Sequence, residues 1–163
     1  AQALRGDLLK AEQREQVELI LDSGNTLLVL LNDIASRITT NRANAVSYVT
    51  TDPLGAGMTC PAASVGDTLQ QVDSREWCDA LQGVSEQISG SRLGAMIGGR
   101  GCVSDLGSNE YMITVAWQGI VPLSAPASTV TCGKDEYNTT SSVCVNDLCR
   151  RVVTTVVRIG SLM

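Results

Sequence analysis

Cysteine carries most of the chemistry open to this chain. Six cysteines stand at positions 60, 78, 102, 132, 144 and 149, all after residue 59. Thiolates bind metals, attack electrophiles or join as disulfides, and spacing separates these uses. No Cys-x-x-Cys pair occurs: Cys144 and Cys149 have four residues between them, and every other interval is wider. Four thiolates among Cys102, Cys132, Cys144 and Cys149 would suit zinc, but the paired ligand knuckles of such sites are missing, so disulfides are the expected use. The favoured scheme joins Cys60 to Cys78, Cys102 to Cys132, and Cys144 to Cys149. The first pair has the clearest physical reason, because the loop and short helix between them must be tied back to the rest of the fold. The last four are equally free by sequence to pair as Cys102 with Cys144 and Cys132 with Cys149.

The other chemically capable residues read as structural. Histidine is absent, which removes the commonest general base, both Ser-His and Cys-His pairings, and most catalytic zinc sites. The two lysines, Lys10 and Lys134, lie in polar text and read as solvated charges rather than as half of a Ser-Lys pair. The Gly-rich run from Gly94 to Gly101 lacks the Lys-Ser/Thr of a phosphate loop and reads as a connection. Asp135, Glu136, Asn146 and Asp147 offer oxygens without the spacing of a calcium loop. Asn138-Thr139-Thr140 is a formal glycosylation sequon and marks a polar loop. Trp77 and Trp117 each sit in apolar periodicity and are expected in the core. No catalytic, metal or cofactor site is therefore expected.

The elements that must hold these residues follow from composition and period. The chain has 163 residues, 44% of them hydrophobic, so it can bury a core; with no Phe, that core must come from Leu, Ile, Val, Ala and Met. Twelve basic against 17 acidic groups give a net charge of −5, which argues against nucleic acid or an anionic lipid surface as partner. The cysteine count points to an oxidising compartment, periplasmic or extracellular. No apolar run is long enough to cross a membrane, and the chain reads as an ectodomain freed of whatever carried it across one.

Residues 3 to about 41 contain no Pro and are rich in helix formers, predicting one long helix. Val17, Leu21, Leu28, Leu31 and Ile38 recur at helical spacing and are expected to face the core. Leu4, Leu8 and Ala11 precede a charged stretch from Glu12 to Gln16 and are expected to project as a partner-docking half. About 38 helical residues span roughly 57 Å, too long for a body whose radius of gyration is near 14 Å by the size rule. Gly24 falls on the stripe, as a close-packing point or a kink. A loop follows over 50–66, then a short helix from an Asp67 cap to Leu81 with Gly83 as its stop. Strand signals lie at 111–117, 120–121, 128–131 and 152–159, with hairpin links favouring an antiparallel sheet. The reading is α+β: a helix over 1–41 packed on a sheet head over 42–163 with disulfide-stapled loops.

The local text sharpens this architecture. The stretch Leu31-Asn32-Asp33-Ile34-Ala35-Ser36-Arg37-Ile38-Thr39-Thr40-Asn41-Arg42 resembles the helix end of the V-type minor pilins of type IV pili, the PilV family. Cys60 with Glu76-Trp77-Cys78, then Arg100-Gly101-Cys102, Val115-Ala116-Trp117-Gln118-Gly119 and the Cys-flanked loop into Arg150-Arg151-Val152-Val153 match in the expected order across residues 31 to 158. The resemblance implies a pilin-like fold and a non-enzymatic subunit that joins other minor pilins and the major pilin to prime assembly, at or near the pilus tip, beside a tip adhesin. It also implies an inner-membrane anchor in the full-length protein, with the head periplasmic before assembly and on the surface pilus afterwards, and roles in twitching motility and cell adhesion. A type II secretion pseudopilin shares this plan. A secreted adhesion or binding module presenting the 133–147 loop is the alternative from another class.

Overall fold

The computed structural model describes residues 24–83, 87–88, 91–92, 96–140 and 142–160. The expected docking residues Leu4, Leu8 and Ala11, and Val17 and Leu21 of the core stripe, lie outside them. Within the described chain, helix α1 occupies residues 24–40. A 3-10 helix, Arg42–Tyr48, continues from it, and helix α2 spans Leu69–Leu81. Strands β1 Leu54–Gly55, β4 Arg100–Gly107, β5 Glu110–Gln118 and β6 Arg150–Arg158 form one antiparallel sheet in the order β1-β4-β5-β6. A separate two-stranded ribbon pairs β2 Gln87–Ile88 with β3 Ser91–Arg92. The fold is thus mixed α and β, with a four-stranded antiparallel sheet and three disulfides.

α1 buries Leu30, Leu31, Ile34 and Ile38 against Trp77, Leu81, Val103, Tyr111, Ile113 and Val115. Leu28 corrects the expected stripe: it is 56% exposed. Leu27 takes the inward position instead, and each helical step turns roughly 100°, so the next residue is carried off the face that Leu31, Ile34 and Ile38 define. Leu28→Ala is accordingly expected to change unfolding free energy by less than about 0.5 kcal/mol, measured by denaturant titration. Among the described residues Gly24 is no close-packing point, since a Cβ there would meet none of their atoms within 4 Å.

α2 begins one residue later than expected. Thr68 caps it, its side chain accepting from Gln71 N–H while Gln71 Oε1 accepts from Thr68 N–H, a reciprocal capping box. Asp67 turns instead to Ser64 N–H and to Arg75 Nη1, contacts that hold its carboxyl below the usual range. Leu69 is exposed, while Trp77 and Leu81 face inward. Gly83 follows with φ +67°, the left-handed stop the sequence predicts.

The largest difference lies in the sheet. β4 forms where a Gly-rich connection was expected to end, because Gly101 lets the strand pass under Trp77: an added Cβ would sit 2.4 Å from Trp77 Cη2. The expected strands at 120–121 and 128–131 do not form, and Ile120, Val121 and Leu123 are exposed. Trp117 is half-buried rather than in the core. No helix among the described residues is long and apolar enough to cross a membrane.

Candidate interaction surface

The functional candidates assemble at the end of the sheet where β5 leaves and β6 returns. The connecting chain over 119–149 has little regular structure of its own, so its backbone groups must find partners elsewhere. Two disulfides fix it. Cys102 on β4 joins Cys132, and Cys144 joins Cys149 just before β6. The third, Cys60–Cys78, ties the loop after β1 to α2. Of the connectivities open to the sequence, the chain adopts the one in which each cysteine pairs with the next along the chain.

Arg150 anchors the connection from inside. Its side chain is 2% exposed, and its Nη1 donates to the carbonyls of Val130 at 2.7 Å and Cys132 at 3.0 Å. Its Nε lies 3.1 Å from Asp147 Oδ2, an ion-pair contact without hydrogen-bond alignment. Asp147 Oδ1 accepts from Asp135 N–H, and Asp147 N–H donates to Asn138 Oδ1, each at 2.8 Å. Asn138 Nδ2 donates back to Asp135 Oδ1. Both polar ends of the sequon asparagine therefore pin the loop.

Tyr137 closes the other side. It is buried, its hydroxyl donates to Gly98 O at 2.7 Å, and Arg100 stacks 4.9 Å from its ring centroid while pairing with Glu136 at 2.9 Å. Burial raises the Tyr137 hydroxyl above its ordinary value, against the lowering influence of Arg100. The carboxylates of Asp135, Glu136 and Asp147, singled out as oxygen donors, are thus each held by a neighbouring side chain or backbone N–H. Among the described residues, no group of three or more cysteine, aspartate or glutamate side chains is gathered to hold a metal ion.

This rigid frame presents apolar side chains to solvent. Val143 and Val145 flank Cys144, and Ile120, 90% exposed, leads a run through Val121 and Leu123. On α1, Leu28 and Val29 are also uncovered. A cleft of about 750 Å³ opens beside the Gly98–Gly99 turn, lined among others by Met58, Asp79, Gln82 and Met96. Its Gln82 amide is committed to the carbonyls of Gly55 and Met58. Such an arrangement offers contact surfaces.

A partly buried ionic cluster, with only Asp73 and Tyr48 fully enclosed, links α1 to the head. Arg37 donates to Asp33 at 3.0 Å, Asp73 at 2.8 Å and Glu76 at 2.6 Å, linking α1 to α2. The Tyr48 hydroxyl donates to Asp73 Oδ2 and accepts from Asn41 Nδ2. Burial works against the charge on Arg37, but the three carboxylates together hold its pKa above the ordinary value. Tyr48 is pushed up to about 12, first by burial and then by its bond to Asp73. Sequence reading missed this cluster because it joins two local pairs, Asp33–Arg37 and Asp73–Glu76, across 36 residues of chain.

The Tyr48 shift predicts an alkaline limit. A hydroxyl whose folded pKa lies above the unfolded value of about 10 contributes fully below pH 10. Its contribution is lost as pH rises towards 12, where the folded state also ionises. The stability gap between the wild type and Tyr48→Phe should therefore shrink by on the order of 2 kcal/mol between pH 9 and 12 in denaturant titrations. A gap independent of pH would show that the hydroxyl is not held neutral.

Comparison of the chain with protein-family models, curated proteins and solved structures found no match.

Proposed function

We propose that this chain is a minor pilin, a structural subunit of a minor-pilin complex that primes type IV pilus assembly and sits at or near the pilus tip. The observation that carries the reading is α1: its inner face is sealed in the core by Leu31, Ile34 and Ile38, while Leu28 and Val29 remain uncovered on its outside. An uncovered apolar pair on a helix is what subunit packing would bury. The antiparallel sheet, the stapled loops and the PilV-like text over 31–158 support the same reading, and with it an anchor in the inner membrane before assembly.

A type II secretion pseudopilin would share these features. The adhesion-module alternative draws on Val143 and Val145, exposed on either side of Cys144.

The test is genetic and biochemical together. Deletion is expected to reduce surface pili and twitching by about tenfold or more. Val29→Asp should keep the wild-type melting temperature, since Val29 is exposed. It should also lose co-purification with other minor pilins, because an unpaired charge in a helix interface costs several kcal/mol. Normal piliation in the deletion strain would overturn the assembly role. Loss of protein secretion with pili intact would assign the chain to the pseudopilins.

A further inference from the structure

The two edges of the main sheet differ. β1 is two residues long, whereas β6 runs for nine residues, Arg150–Arg158, with unbroken register against β5. Natural edges are usually blunted by charged side chains, Pro, a bulge or short length. β6 holds no Pro and no bulge, and its arginines stand at its two ends, leaving residues 152–157 uncharged.

The register identifies the open groups. At the two ends of the β5–β6 ladder, Gly119 N–H donates to Cys149 O and Ile159 N–H to Asn109 O. Antiparallel alternation then turns the backbone N–H and C=O of residues 151, 153, 155 and 157 towards β5. Those of Val152, Thr154, Val156 and Arg158 point away from the sheet, and among the described residues nothing pairs with them. The row begins only at Val152, because Arg150 N–H already donates to Asp147 O and Arg150 O accepts from Arg151.

We propose that the open edge of β6 is a strand-addition site for an extended segment of another protein, with alternating apolar residues and acidic ends. Side chains give the alternation: Val153 and Val157 are part-buried against the main core, so one row of an added strand would extend that layer. Thr154, Val156 and Arg158 on the opposite face are exposed, and the other row would lie beside them in solvent.

Charge selects the ends. β6 carries three arginines and no acidic residue. Among the described residues Arg151 donates to the carbonyl oxygens of Leu148, Arg150 and Val121 and to no carboxylate, and Arg158 is 77% exposed despite its pairing with Glu110. A second copy is disfavoured for the same reason, since antiparallel β6 against β6 would bring Arg158 of each chain near Arg150 and Arg151 of the other. This inference does not depend on the pilin reading.

The probe is a short peptide of alternating valine and threonine with glutamate at both ends, titrated into isotope-labelled protein. The expected result is shifted signals and slowed exchange at the amides of Val152, Thr154, Val156 and Arg158, with a lysine-ended peptide about tenfold weaker. N-methylation of one alternate set of peptide residues should abolish binding, and of the other set should not. Thr154→Pro removes an outward N–H that β5 does not use, so it should fold and bind no peptide; if it fails to fold, the methylated peptides still decide. Absence of binding, equal binding of both peptides, signals elsewhere, or a β6-dependent dimer of the protein alone would each overturn the proposal.

Discussion

Trp77→Ala is expected to destabilise the protein by about 3–5 kcal/mol and to lower the melting temperature by roughly 10 °C. Trp77 is 0% exposed, touches the core formed by α1 and the sheet, and donates from Nε1 to Leu30 O at 3.0 Å. Truncation removes that packing and leaves the ring's volume empty. Gly101 gives the internal check. A methyl there would lie 2.4 Å from Trp77 Cη2 and 2.6 Å from Leu81 Cδ1, so Gly101→Ala alone should also destabilise. In the double variant the methyl enters space the indole has vacated. Its loss should therefore fall short of the summed single losses by about 1 kcal/mol or more. Additive losses in thermal or denaturant unfolding would mean that the ring and the strand relax independently.

Removing the Cys102–Cys132 disulfide by double substitution to serine should cost about 3.5 kcal/mol, as loop-closure entropy predicts for a separation of 30 residues. The local environment adds to this, because Cys102 and Cys132 pack with Ala116 and Tyr137 in a second buried cluster. The Cys144–Cys149 bond spans only 5 residues and should contribute about 2 kcal/mol by the same rule. Chemical unfolding of the two double-serine proteins compares these values. If the short loop mattered more than the long one, the bonds would act through native packing rather than through the unfolded chain. The first variant should also loosen the frame that carries Ile120, Val121 and Leu123, since Arg150 Nη1 binds Cys132 O.

Several elements were legible because their signal is local. The α2 text shows its inward residues Trp77 and Leu81 and its stop at Gly83, although the cap is Thr68 rather than the expected Asp67. β5 and β6 are dense in β-branched residues and pair over their full length. The even cysteine count without metal-ligand spacing identified disulfide chemistry, and the absence of His removed the usual catalytic pairings.

Other features depend on long-range contacts that no window of sequence contains. β4 is a strand through its ladder with β5, and its passage under Trp77 leaves no room for a side chain at Gly101. Helical spacing alone admitted Leu28 to the stripe, but the width of the face that the sheet covers leaves it outside. The segment from Ile120 to Thr131 looks like strand in its apolar text and is not one, since Arg150, Arg151 and the backbone of Leu148 hold parts of it in an irregular path. By itself the sequence determined the α and β composition, the disulfide chemistry and the main core helix. Tertiary structure decided which cysteines meet, which helix residues stay exposed, how Arg37 and Tyr48 come together on Asp73, and that β6 ends the sheet. The physical reason is common to all four: side-chain period and propensity act over a few residues, whereas burial and pairing depend on what lies opposite.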